Sequence, residues 1–225
     1  MVITIQRQAG PNAKSYLQQF RYEGSGRDTV SHILEELNSR EELTDINGNP
    51  ADRICWECSC MQQICGACAM VINGQPTLAC GEFIDLDSTK ELKLAPLSKF
   101  PCVRDLTVDR SCIQEHQKQA LMYLGERGRP KKREHEQQYM AAKCLKCGLC
   151  LEVCPNYIGP EGNFYGVLLA HEAYLLYSST DDRRKDLARQ YRLHFGRGCS
   201  KSLACRDICP AKIPTLSSIG YMNRK

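Results

Sequence analysis

Cys144-Leu145-Lys146-Cys147-Gly148-Leu149-Cys150-Leu151-Glu152-Val153-Cys154-Pro155 places four cysteines at intervals of two, two and three residues, the last beside a proline. In that spacing three thiolates hold one iron-sulfur cubane and the fourth, next to proline, reaches a second cluster. Downstream, Cys199, Cys205 and Cys209-Pro210 form a second run with intervals of five and three residues, and Ser202 stands where a middle cysteine would complete it. Two such runs exchange their last ligands. Cys144, Cys147, Cys150 and Cys209 then form the ligand set of a 4Fe-4S cluster, and Cys154, Cys199 and Cys205 that of its neighbour. A serine hydroxyl is a far poorer ligand than thiolate for a soft iron-sulfur corner, so the three-thiolate set is read as a 3Fe-4S site.

Working upstream, Cys60-x4-Cys65-x2-Cys68 and the later Cys80 have the plant-type spacing of a 2Fe-2S centre. A tight loop wraps one iron while a distant strand-borne cysteine closes the other. Gly66 lets the backbone pass close to the sulfides. The segment between Cys68 and Cys80 reads as a hairpin turning at Asn73-Gly74, with the two cysteines near its ends.

The rest of the composition agrees. A chain of 225 residues with 42% hydrophobic content can hold two packed domains. Fifteen cysteines at ligand spacing, in a chain whose start reads as neither a signal nor a transit peptide, indicate metal sites in a reducing compartment rather than disulfides. No apolar stretch is long enough to cross a bilayer, so membrane contact would come through other subunits or a surface patch. A net charge of +4 is too small to argue for nucleic acid. There is no Walker loop, no GxGxxG and no defensible Ser-His-Asp order, so no catalytic residue and no flavin or nucleotide site is assigned to this chain.

The segment Ile64-Cys65-Gly66-Ala67-Cys68-Ala69-Met70-Val71-Ile72-Asn73-Gly74, the stretch Phe100-Pro101-Cys102-Val103-Arg104-Asp105-Leu106 and both Cys-Pro runs resemble the iron-sulfur subunits of succinate dehydrogenases and fumarate reductases. The resemblance covers nearly the whole chain. It implies a relay in which a flavoprotein partner exchanges electrons with a dicarboxylate, and 2Fe-2S, 4Fe-4S and 3Fe-4S centres carry them to or from a quinone at membrane anchor subunits. The chain would then be peripheral, on the cytoplasmic side of the cell membrane. Ubiquinone-linked members carry a tryptophan after the first Cys-Pro run and a histidine after the first cysteine of the second. Here Asn156 and Ser200 occupy those places, which looks more like the menaquinone-linked type. The alternatives are the iron-sulfur subunit of a soluble thiol-linked fumarate reductase, a free-standing ferredoxin-like carrier, and a zinc scaffold on the same cysteines.

The expected fold is α+β, with a ferredoxin-type β-grasp domain over residues 1–106 followed by a mainly α-helical, bacterial ferredoxin-like domain over residues 107–225. Strand signals cover residues 2–6, 16–22 and the region of Leu92 and Leu94. One helix, capped by Asp28 or Thr29, carries the stripe Val30, Ile33, Leu34, Leu37. Further helices are expected at residues 113–124, 134–142, 164–177 and 181–195, around a basic connector at 125–133 that reads as a solvated loop.

Four cysteines lie outside the ligand sets. Using Cys58 in place of Cys60 would stretch the first interval to six residues, so Cys60 is taken as the ligand; Cys55 and Cys58 read as packing or weakly redox-active thiols. Cys102 and Cys112 read as small buried hydrophobes, and Trp56 as a packing anchor. His116, His135, His171 and His194 sit on expected helices in no ligand pattern, and read as surface or satisfied core residues.

Overall fold

The structure is a computed structural model that describes residues 1–126, 128 and 135–225. It separates into two compact units, Met1–Asp109 and Arg110–Lys225.

The first unit is a mixed sheet with one helix. Strands β1 (Val2–Arg7), β2 (Tyr16–Arg21), β4 (Ala69–Ile72), β5 (Gln75–Leu78) and β7 (Glu91–Ala95) form a five-stranded sheet in the order β2-β1-β7-β4-β5. Only the β1–β7 pair is parallel, with Ile3 opposite Leu92 and Ile5 opposite Leu94. Those four side chains are almost wholly buried, as the period-2 alternation demands. Helix α1 (Val30–Ser39) starts at Thr29, whose hydroxyl accepts the His32 N–H; Asp28, the other candidate cap, lies in strand β3 (Arg27–Thr29). Val30, Ile33, Leu34 and Leu37 are all fully buried. Four short strands add to the expected set: β3, which pairs with β6 (Phe83–Asp85), and the hairpin β8 (Cys102–Arg104) with β9 (Thr107–Val108).

The second unit is helical: α2 (Ser111–Gln119), α3 (His135–Ala142), α4 (Leu149–Glu152), α5 (Gly166–Ser179), α6 (Arg184–Tyr191) running into a π-turn (Arg192–Gly196), and α7 (Thr215–Met222). Helix α5 is apolar on nearly every side and occupies the centre, where Val167, Leu169, Ala170, Ala173 and Tyr174 join Tyr191, Phe195 and Met222 in one core.

Two expected boundaries shift for physical reasons. The helix expected at 113–124 stops at Gln119, because Leu121 is left-handed (φ +54°) and buried Arg183 donates to the carbonyls of Leu121 and Tyr123 at 3.0 and 2.7 Å. The helix expected at 181–195 begins only at Arg184, since Asp182 is engaged by the Thr180 hydroxyl and the Glu126 N–H. The connector residues Arg127, Arg129, Lys131, Lys132 and Arg133, with Glu134 at the expected start of α3, lie outside the described residues. Among the described residues no helix is long and apolar enough to cross a membrane.

Candidate metal centres

The N-terminal group of thiols is shaped by a loop of alternating handedness. Met61 (φ +54°), Gln63 (φ +61°) and Gly66 (φ +78°) are left-handed, a conformation that turns successive N–H groups to one concave side, as in the nests that hold anions and iron-sulfur clusters. The N–H groups of Gln62 and Ile64 lie 3.3 and 3.4 Å from Cys60 Sγ, that of Gln63 3.3 Å from Cys80 Sγ, and that of Ala67 3.5 Å from Cys65 Sγ. The hairpin turns at Asn73 (φ +49°) and Gly74 (φ +80°) and pairs Ala69 with Leu78, which brings Cys68 Sγ to 3.4 Å from Cys80 Sγ. The Gln62 and Ile64 N–H groups pull the half-buried Cys60 thiol down to about 7, while burial pushes Cys68 up to about 12. A bound metal removes a proton from a coordinating thiol outright, and its positive charge offsets the cost of burying the thiolate.

Behind this loop sits a buried ion pair that the sequence reading missed. Arg7 Nε lies 2.9 Å from Asp105 Oδ1, with side chains only 2% and 3% exposed. The same carboxylate accepts the N–H groups of Gln8 (3.0 Å) and Cys55 (2.9 Å), and the guanidinium also donates to Gln18 Oε1 and to the carbonyls of Asp52 and Arg53. The Cys55 approach to the thiol loop is thereby tied to β1. A signal existed: Arg7 continues the inward-facing alternation of Ile3 and Ile5, and a charge on that face requires a partner.

Of the four remaining cysteines, Cys55 is half-buried with Sγ 3.4 Å from Thr107 Oγ1, and Cys58 is exposed. Cys112 is buried, as expected. Cys102 is not: it is half-exposed on the short strand β8, with Sγ 3.5 Å from the Asp105 carbonyl, because a two-stranded hairpin has no second layer to cover it. Trp56 is half-buried.

In the second unit the two runs converge on two cavities. Cys144, Cys147, Cys150 and Cys209 line one of about 370 Å³ together with Leu168, Ile213 and His171. Cys154, Cys199 and Cys205 line another of about 390 Å³ together with Ser202, Phe164 and Leu216, and Cys150 reaches both. The chain again uses left-handed residues between the thiols: Lys146 (φ +52°) and Gly148 (φ +87°) in the first run, Lys201 (φ +59°) and Leu203 (φ +61°) in the second. Burial, with mutual repulsion among the thiolates, pushes Cys150 well above the ordinary thiol range, and burial raises Cys147 to about 11. All fifteen cysteines are free thiols. Soft donors crowded into an apolar cavity that penalises their bare anions suit a cationic iron core, which neutralises the thiolates it binds.

The histidines behave as core and surface residues with one exception. His116 is buried, stacks on Tyr165 at 4.1 Å and lies 3.0 Å from the Pro160 carbonyl; His194 stacks on the other face of Tyr165 at 4.2 Å. His135 opens α3 at the surface. His171 is 4% exposed and lines the first cavity, and burial pulls it down to about 4. In the first unit Asp28, His32 and Glu36 bring ligand atoms within 4.8 Å of one another, but Asp28 already pairs with His32 at 2.5 Å and Glu36 accepts the Tyr22 hydroxyl.

A model of a 2Fe-2S iron-sulfur cluster binding domain matches residues 2–115, and one of a 4Fe-4S dicluster domain matches residues 140–213. The succinate dehydrogenase iron-sulfur subunit of Bacillus subtilis (strain 168) is 30% identical over 98% of this chain and 90% of its own length. The chain belongs to the iron-sulfur subunits of the succinate dehydrogenase and fumarate reductase family. The fumarate reductase iron-sulfur subunit of Wolinella succinogenes is 27% identical over 95% of this chain and 90% of its own. A chain of the Mycobacterium smegmatis Sdh1 complex in the apo form shares the fold, with a TM-score of 0.70, 20% identity and coverage of 100% and 96% of the two chains. Family membership accounts for the order of the two units: a 2Fe-2S domain first, a 4Fe-4S dicluster domain second.

Proposed function

We propose that this chain relays electrons between a flavin-bearing dicarboxylate subunit and a quinone held by membrane anchor subunits, on the cytoplasmic face of the cell membrane. In this reading Cys60, Cys65, Cys68 and Cys80 hold a 2Fe-2S cluster in a domain spanning residues 1–106. Residues 107–225 carry the other two centres, a 4Fe-4S cluster on Cys144, Cys147, Cys150 and Cys209 and a 3Fe-4S cluster on Cys154, Cys199 and Cys205. When bound, such clusters supply one-electron carriers whose potentials follow ligand type, hydrogen bonding and burial. The chain's own work is to fix their spacing and surroundings; it makes no bond to substrate.

The observation that carries the reading is Cys150 lining both C-terminal cavities, with Cys209 in the first and Cys154 in the second. Interleaved ligands around adjoining cavities suit a wire, and a zinc scaffold has no use for them. The hydroxyl of Ser200 donates to Asn156 Oδ1 at 2.5 Å. This closed polar pair, where ubiquinone-linked relatives carry tryptophan and histidine, supports menaquinone as the quinone.

Low-temperature EPR of the anaerobically purified complex, with iron and flavin counts, tests the reading. The expected result is a 3Fe signal in the oxidised sample, a 2Fe signal after dithionite, and flavin on a co-purifying chain. Ser202→Cys is expected to convert the 3Fe signal to that of a four-iron cluster. An unchanged 3Fe signal in this variant would refute the assignment of the missing corner, and purification alone without flavin would favour a free carrier.

A further inference from the structure

The cavity lined by Cys144, Cys147, Cys150 and Cys209 is walled by leucine, isoleucine and proline, with two polar side chains besides the thiols, Thr215 and His171. Thr215 directs its hydroxyl to the Ile213 carbonyl at 3.3 Å. His171 is therefore the one lining side chain that carries an N–H.

Its orientation is held from behind. His171 Nδ1 lies 3.1 Å from Ser218 Oγ, a wholly buried hydroxyl on α7. No group among the described residues engages Nε2. Burial disfavours the imidazolium, and a neutral imidazole has one N–H and one bare nitrogen. If Ser218 donates to Nδ1, the proton sits on Nε2. Thiolates and sulfides are hydrogen-bond acceptors, so a bare Nε2 lone pair beside them would be repelled while an Nε2–H is attracted. The sulfur side of the ring therefore selects the Nε2–H tautomer, which the Ser218 hydroxyl accommodates by donating to Nδ1.

We propose that His171, held at Nδ1 by Ser218, donates a hydrogen bond from Nε2–H to the sulfur of the cluster held by Cys144, Cys147, Cys150 and Cys209, and thereby raises the reduction potential of that centre. The inference rests on the ligand assignment proposed above. A hydrogen bond to sulfur favours the reduced cluster, which carries one more negative charge, over the oxidised one. The other lining side chains offer only apolar contact or thiolate, so removing this donor is expected to move the potential substantially.

The test is an EPR-monitored redox titration of the purified complex in four forms: the unaltered chain, His171→Leu, His171→Gln and Ser218→Ala. His171→Leu is expected to lower the reduction equilibrium constant of the 4Fe centre about tenfold, equivalent to about 59 mV for one electron, with the 2Fe potential unmoved. His171→Gln, which keeps an N–H donor, should restore most of the shift, and Ser218→Ala should give an intermediate value. Pulsed EPR of the unaltered complex labelled with 15N-histidine should show a weak nitrogen coupling on the reduced 4Fe signal that His171→Leu abolishes. A 4Fe potential unchanged in His171→Leu at full iron content overturns the proposal. So does the absence of 15N coupling in the unaltered complex, which decides the matter even if the variants lose the cluster. Failure of the ligand assignment itself would look different, since the unaltered complex would then show no 4Fe signal.

Discussion

Asp105→Asn should destabilise the N-terminal unit by about 4 kcal/mol, within the range for breaking a buried ion pair from one side. The substitution is isosteric, and asparagine, like aspartate, tolerates the left-handed backbone at this position (φ +47°). The loss is therefore electrostatic. The carboxylate accepts from Arg7 and Gln8 on Oδ1 and from Cys55 on Oδ2, all within 3.0 Å. An amide oxygen can serve Arg7 and Gln8, but its NH2 then faces the Cys55 N–H, donor against donor, and the Arg7 charge is left buried without a counterion. Arg7 keeps its bonds to Gln18, Asp52 and Arg53, which places the cost nearer that of one broken pair than the sum of three lost bonds. For a unit spanning Met1–Asp109, an unfolding entropy of about 2.1 cal/mol/K per residue converts the loss to a midpoint roughly 15–20 °C lower. Thermal unfolding followed by the visible circular dichroism of the bound 2Fe-2S centre reads it. Arg7→Met combined with Asp105→Asn should recover more than half of the loss, because the unpaired charge is gone. A shift under about 4 °C for Asp105→Asn, or a double variant no better than the single one, would refute the account.

Two further outcomes follow from particular residues. Gly166→Ala should destabilise the second unit by roughly 2–5 kcal/mol, combining left-handed strain with overpacking, because Gly166 has φ +68° and an added Cβ would stand 2.2 Å from Leu151 Cδ2; unfolding of this variant within about 0.5 kcal/mol of the parent would contradict the packing. The hydrogen bond that the His32 ring donates to the Asp28 carboxylate raises His32 above its usual 6.5. A group raised on folding stabilises fully below its unfolded pKa and loses that contribution as pH climbs through the folded one. An NMR titration of His32 should therefore give a pKa above that of Asp28→Asn, and the stability advantage of the parent over His32→Gln should fade from pH 6 upward; an advantage that grows with pH would reverse the sign.

Some of the fold was plain in local pattern. Val30, Ile33, Leu34 and Leu37 announce a buried helix face because a 3.6-residue period repeats within one segment, and Asn73-Gly74 announces its turn because few residues adopt two successive positive φ values. The short strands β3, β6, β8 and β9 carry no such period; only their partners across the chain make them strands. Helix α7 begins after Pro214 with Thr215, an ordinary residue whose burial comes from packing against α5. The end of α2 is set by Arg183, far along the chain, supplying hydrogen bonds to carbonyls that would otherwise continue the helix.

The sequence by itself determined the chemistry: soft thiols at intervals short enough for one loop to present them to one metal centre, and a serine where a thiol is missing. Those intervals are local, so they are legible without a fold. Tertiary structure decided what stands around the thiols. Cys209 meets Cys144, Cys147 and Cys150, and Cys154 meets Cys199 and Cys205, only because the helices around α5 bring the two runs together. The left-handed residues Met61, Lys146 and Leu203 hold conformations that no propensity predicts. His171 and Asp105 look unremarkable in the sequence; burial and a single well-placed partner give the first its place beside the thiols and make the second a structural clamp.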